Sequence, residues 1–305
     1  MAEWGVANRI EQVNADSGAV QVVDEVTLSA RAVGETTFRI KETDFLWTAS
    51  IAVSTGTFAH RLELKTENRQ LDESYVRSEN FWGTAQHPMR HPPKFIHLNG
   101  ELTFRFIDTS NASNLVALYL VGFRAATCGA PVQAGERQGR CKNPNCTCDR
   151  ARWGQGRGLF VISTDSPTTA PAWAQGGIVV PAGASATAKL VIPPMHHFRM
   201  SILNGVAYNG AGADTPNTAW KGNLDRMDPR DERRGYYSSS QGSQIRAAAF
   251  VGTGTAPNYL ASPVVGHQAG QFGVDVTDLG GATTNFVHLT AIGETVDTDM
   301  VRESR

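Results

Sequence analysis

Long apolar runs are missing from this chain of 305 residues. The longest, Leu115–Val121, falls far short of the ~20 residues that a helix needs to cross a bilayer, so no segment reads as a helical membrane span. Charge is also scarce: 19% of residues are charged, and 28 basic against 29 acidic side chains leave a net charge of −1. A protein whose whole surface grips nucleic acid carries a large positive excess, so that class is excluded. Cysteines number four, few for a secreted disulfide scaffold. The opening residues MAEWGVANR show no basic stretch followed by an apolar one. The expectation is therefore a soluble protein without a secretory signal, made in a cytoplasm. No GxSxG, P-loop, dinucleotide-binding or HExxH pattern occurs, and no catalysis is expected.

What the chain does have is a hydrophobic content of 41%, 30 glycines and 14 prolines, the profile of a turn-rich β protein with a real core. Apolar residues alternate with polar ones at period two, which puts them on one face of a strand: Leu102, Phe104 and Phe106; Leu62 and Leu64; Val274 and Val276. Asn114–Phe123 is apolar at both phases and predicts a strand covered on both faces. Turn signals such as Asn99-Gly100 and Pro181-Ala182-Gly183 separate these runs. Helical spacing is confined to a short stretch at Glu3–Val13 and another near Arg77–Phe81.

An internal repeat organises the chain. Pro93–Asp108 aligns with Pro263–Asp278 at a constant offset of 170, with four of 16 positions identical, among them His97/His267 and Gly100/Gly270. Asn114–Gly122 then aligns with Asn285–Gly293, where four of nine are identical. Upstream, Phe38-Arg39-Ile40 and Phe198-Arg199-Met200 are candidate openings of equivalent strands. The period is too long for a solenoid and fits two copies of one β domain. The expected layout is an N-terminal segment (1–25), a first domain (26–124), a basic Cys-rich insertion (125–157), a second domain (158–296) interrupted by an insertion at 204–244, and a tail (297–305).

Few residues form chemical clusters. Cys128, Cys141, Cys146 and Cys148 share one Gly- and Arg-rich stretch, where four thiolates can hold a tetrahedral, structural zinc. Disulfides and free thiols are the alternatives. From Arg124 to Arg157 seven basic residues face two acidic ones, a surface suited to lipid head groups, genome or an acidic neighbour, or simply a solvated loop. His87, His91 and His97 lie close in sequence but without an acidic partner, and His196-His197 point to opposite strand faces, so neither group reads as a metal site. Asp225, Asp228, Asp231 and Glu232 are candidate calcium ligands, although the interleaved arginines favour a self-paired loop or an interface. Trp47, Trp82, Trp153, Trp173 and Trp220 either fill cores and interfaces or form a glycan platform.

The stretch ENFWGTAQHPMRHPPKFIHLNGELTFRFIDTSNASNLVALYLVGFRA resembles a module of bacteriophage virion proteins. In that module a G-T-x-Q-x-P segment (here Gly83–Pro88) precedes a strand, a turn, a second strand (Leu102–Asp108) and a terminal N-x-V-x-L-x-x-x-G strand (Asn114–Gly122). Two such modules in tandem look like the double jelly-roll major capsid proteins of icosahedral, internal-membrane phages. The resemblance implies an all-β fold of two tandem jelly rolls, antiparallel β-sandwiches with long loop insertions. It also implies a homotrimer forming a pseudo-hexagonal capsomer, partnered by itself and by other virion proteins. A basic or apolar N-terminal helix, which that family uses against its membrane, has no clear counterpart here. A minor head, neck or tail protein, including a receptor-binding one, is the alternative that the same module allows.

Overall fold

The computed structural model describes residues 10–13, 19–28, 32–40, 44–65, 69–72, 75–109, 112–125, 158–164, 177–194, 197–209, 220–227, 245–246, 251–266, 268–278 and 284–296. The chain divides into two compact units: Met1–Leu71 with Trp82–Phe160, and Asp72–Phe81 with Val161–Arg305.

The first unit contains β1 (Ile10–Val13), β2 (Ala19–Leu28), β3 (Val33–Arg39), β4 (Phe45–Ser54), β5 (Phe58–Leu64) and β6 (Arg69–Gln70). Next in the chain come β7 (Val76–Arg77) and α1 (Ser78–Phe81), which belong to the second unit. The first unit resumes with β8 (Met89–Ile96), β9 (Glu101–Asp108) and β10 (Asn114–Arg124). One of its sheets runs β1-β2-β10-β4-β8 and the other β3-β9-β5-β6. The second unit follows with β11 (Gly158–Ser163), in which the boundary between units falls, and β12 (Ile178–Val180). It continues with β13 (Ser185–Val191), β14 (His197–Asn209), β15 (Trp220–Met227), β16 (Ile245–Arg246), β17 (Tyr259–Gly266), β18 (Gln271–Asp278) and β19 (Asn285–Val296). Its sheets run β11-β19-β14-β17, with β12 also on β19, and β13-β18-β15-β16.

These orders define the fold. Counted from β2 and from β12, with β7 left aside, each unit has eight strands arranged 1-8-3-6 and 2-7-4-5, the two interleaved sheets of a jelly roll. The chain is all-β with two tandem jelly rolls. Alternation places the core as expected: Leu102, Phe104 and Phe106 of β9 are fully buried while Arg105 is exposed. The first core is aromatic, with Phe104 in edge or tilted contact with Phe38, Trp47 and Trp82 at centroid distances of 5.5, 6.2 and 5.5 Å. The second core is leaner, with Phe198 and Phe272 at 6.5 Å among Leu190, Met200, Leu203, Val274 and Leu289.

Hydrogen bonds fix which residues are equivalent. Ile40 N donates to Gly100 O and Ile192 N to Gly270 O; Asp108 N donates to Ala32 O and Asp278 N to Ala184 O. Asn99 and Ala269 both take positive φ, 62° and 56°, in the matching turn. Phe38-Arg39-Ile40 is therefore equivalent to the residues ending at Ile192, and the expected pairing with Phe198-Arg199-Met200 is corrected: those residues match Phe45-Leu46-Trp47. The proof is a shared β-bulge. Register shifts between Trp47 and Ala49 opposite Gly122/Val121, and between Met200 and Ile202 opposite Gly293/Ile292.

Other expectations are revised. Ile10–Val13 forms a strand, not a helix, because its apolar ends pair with β2 (Ile10↔Val23, Val13↔Val20). The first sheet thus starts before residue 26. Asn204–Asn209 and Trp220–Met227 lie in strands paired to β19 and β18, so the insertion does not begin at 204 and part of it is sheet. Asn114–Phe123 is fully covered on one face and partly on the other, where Ala117 is buried, Tyr119 and Val121 are half-buried, and only the end residues Leu115 and Phe123 are exposed, at 40% and 47%. The cysteines, His196, His267, Asp228, Asp231, Glu232, Trp153, Trp173 and the tail lie outside the described residues.

A buried clamp also recurs. Asn114 Nδ2 donates to Asp108 Oδ1 (3.2 Å) and Asn285 Nδ2 to Asp278 Oδ1 (2.9 Å), tying the last two strands together at one end. Asn114→Ala and Asn285→Ala each remove a donor from a buried carboxylate, an expected loss of about 1–3 kcal/mol. Denaturant unfolding checks this, and two unchanged midpoints would refute the clamp.

Candidate assembly surfaces

The outer faces of the sheets differ in chemistry. On the β3-β9-β5 sheet, charges pair among themselves: Arg105 reaches Glu35 (3.2 Å) and Glu63 (3.6 Å), and Lys65 reaches Glu35 (3.2 Å). Such exposed pairs are compatible with water and contribute little to stability. The outer face of β4 and β10 is apolar instead. Val53 is 58% exposed near Leu115 at one end of β10 and Phe123 is exposed at the other, while Ile51 and Ala117 between them are buried and Tyr119 and Val121 half-buried. Each exposed apolar group is a candidate contact point, because it loses favourable free energy while it stays in water.

The matching face of the second unit is closed. The short helix α1 packs on β14 and β19, held by polar groups most of which are themselves buried. Asn80 uses both amide hydrogens, donating to His288 O (3.0 Å) and Thr290 Oγ1 (3.1 Å). Asn204 Nδ2 donates to Asn80 O (2.7 Å). Glu79 accepts from Ser78 Oγ (2.6 Å) and from the Tyr208 hydroxyl, and its carbonyl accepts from Gly254 N (2.5 Å). The Arg77 guanidinium lies 5.6 Å from the Tyr208 ring centroid, within cation–π range. Sequence patterns gave no sign of this latch, since its partners are 124 to 210 positions apart.

The three clustered histidines do not converge. His87 is exposed in a turn. His91 is buried, with Nε2 3.1 Å from Ser50 Oγ, Nδ1 3.0 Å from Pro92 O, and its ring 4.6 Å from Trp47. His97 stacks edge-on with Phe95 at 4.8 Å and lies 3.9 Å from Asp44. His197 is buried within β14, and Asp225 sits in β15 opposite Gly273. Among the described residues, no three His, Cys, Asp or Glu side chains gather as metal ligands. Trp47 and Trp82 are buried in the first core, which removes them as glycan platforms.

His60 is the functional-looking residue that sequence reading missed. It is fully buried and accepts from Trp82 Nε1 at 3.2 Å. Burial pushes its pKa down to about 3. Burial likewise pushes His91 down to about 4, against a smaller raising effect of its bond to Pro92. Both are neutral core residues that resist protonation.

No protein-family model and no curated protein sequence matches the chain. Among solved structures, it is similar to the atomic structure of Sulfolobus Turreted Icosahedral Virus at 9% identity and a TM-score of 0.24, covering 94% of this chain and 59% of that one. It is also similar to the triple jelly roll of an archaeal virus turret assembly at 8% identity and a TM-score of 0.25, covering 95% and 59%. The chain thus spans 59% of the length of these two viral proteins. A third similarity is to a peptide-N(4)-(N-acetyl-β-D-glucosaminyl) asparagine amidase, at 8% identity and a TM-score of 0.32, covering 95% and 96%. Likenesses this distant assign no activity.

Proposed function

We propose that this chain is a structural virion protein, a major capsid protein that assembles as trimers of pseudo-hexagonal outline. The observation that carries the reading is the duplication itself: two jelly rolls of one strand order in one chain, so that three chains present six similar blocks. Six blocks tile a curved shell in near-hexagonal packing, and burial of apolar surface such as that around Val53 supplies the association energy. In this reading the protein is not an enzyme and needs no cofactor; a zinc at Cys128, Cys141, Cys146 and Cys148 would be purely structural. Its partners are other copies of itself and other virion proteins. The charge of the basic stretch 124–157 suits lipid head groups or genome as a further partner, and in this reading the protein resides in the virion after synthesis in the host cytoplasm.

Copy number and mass test this. Light scattering of the purified protein is expected to give a species three times the 32.9 kDa chain mass, and quantitative mass spectrometry of virions to count it in the hundreds. A few to a few dozen copies per particle would replace the shell role with a minor head, neck or tail role.

A further inference from the structure

We infer that two sheet edges join neighbouring chains: β13 of one copy adds, antiparallel, to β3 of a second copy. The inference rests on the shell reading above and specifies the contact that links its subunits.

Both strands end their sheets. Among the described residues β3 pairs only with β9, and β13 only with β18. Each is seven residues long. Ile40 N donates to Gly100 O and Ala32 O accepts from Asp108 N, so the even-numbered residues between them turn their peptide groups towards β9. Ile192 N and Ala184 O make the same two bonds on the β18 side, to Gly270 O and from Asp278 N. The odd-numbered residues of both strands therefore turn N–H and C=O away from their sheets. Such a row is a template for another strand.

One register satisfies both edges. Setting Val33 opposite Val191 brings every outward peptide group against another, and places Glu35 opposite Lys189 and Thr37 opposite Thr187. Each of these pairs is matched in kind. Val33 and Val191 are 59% and 48% exposed in the single chain, and pairing would take both out of water. Lys189 is exposed and makes no ion pair among the described residues. Thr37 Oγ1 already lies 2.9 Å from Thr103 Oγ1, a hydroxyl row that Thr187 would extend.

The inner side chains agree with this register as well. Phe38 falls opposite Ala186 and Leu190 opposite Gly34, so no two large groups collide. A slip of one residue would turn outward peptide groups against inward ones and reverse the faces. A slip of two sets Val33 against Lys189, or Glu35 against Val191. Lysine on a bare edge deters indiscriminate pairing; opposite Glu35 it selects the partner. The two edges hold the same place in different jelly rolls, so the contact runs head to tail and closes a ring when the rotation permits.

The test treats an equal mixture of isotopically heavy and light protein with a zero-length carbodiimide. It is expected to couple the Glu35 carboxylate to the Lys189 amine in mixed heavy-light pairs. Lys189→Glu is expected to weaken trimer formation at least about tenfold by light scattering, and adding Glu35→Lys to the same chain to restore it. Thr187→Pro, which removes one outward N–H from an edge strand, should weaken trimers similarly while leaving the melting temperature of the dissociated chain unchanged. Trimers that lack the mixed cross-link and ignore all three changes would overturn this contact and leave the shell reading standing. A chain that stays monomeric at every concentration and is absent from virion shells would remove both.

Discussion

Lowering the pH from 7 to 5 is expected to cost the first jelly roll about 4 kcal/mol, through His60 and His91 alone. Their folded pKa values, about 3 and about 4, lie below the ordinary 6.5 of the unfolded chain. Below pH 6.5 the unfolded state binds a proton that the folded state refuses, so stability present at neutral pH drains as pH falls toward 4 and 3. At pH 5 the gap is about 1.4 pH units per histidine relative to pH 7, or about 2 kcal/mol each. That is a large share of the 5–15 kcal/mol typical of a domain. Urea unfolding at both pH values measures it, with fluorescence of the buried Trp47 and Trp82 as the local signal. The double variant His60→Gln, His91→Gln should lose most of the pH dependence while being weaker at pH 7. A wild-type midpoint that does not move between pH 7 and 5 would show that the two rings are protonated in the fold.

Gly122→Ala and Gly293→Ala are expected to be among the most damaging single substitutions. An added Cβ at Gly122 would stand 2.0 Å from Leu46 O, and one at Gly293 would stand 2.1 Å from Arg199 O. Both obstacles are backbone atoms, held where Thr48 and Ser201 are the extra residues of the bulges. No rotamer change relieves the clash, so relief means breaking the pairing of the central strands. The expected loss exceeds about 4 kcal/mol at each site, or soluble protein fails to accumulate. Soluble yield and thermal melting decide the matter. If either variant melts with the wild type, the bulge register at that site is incorrect.

Much of the fold is readable from short-range pattern because strands write their burial at period two. Leu62, Leu64, Phe104 and Val274 announce themselves in this way, and the terminal Asn-x-Val-x-Leu strands mark the duplication. Reading fails where a local pattern has two physical answers. Ile10 and Val13 sit three apart, a helical spacing, yet cross-strand pairing with β2 decides their conformation. The tripeptides at Phe38 and Phe198 look alike because both begin with Phe-Arg, whereas the carbonyls that press on Gly122 and Gly293 reveal the true register. Asn80 carries no local signature at all. Its role comes from where three distant strand residues offer a carbonyl, a hydroxyl and an amide.

The placement of Asp72–Phe81 also bears on how the protein is made. These residues leave the ribosome before any strand from β11 to β19 exists, yet they group with the second compact unit. A cut at any point after Phe81 leaves the C-terminal piece without Asn80, with the hydroxyl of Thr290 and the side chain of Asn204 facing water. The second unit therefore cannot be completed from its own copy of the repeat alone: a stretch made early in synthesis has to wait for the strands it will join.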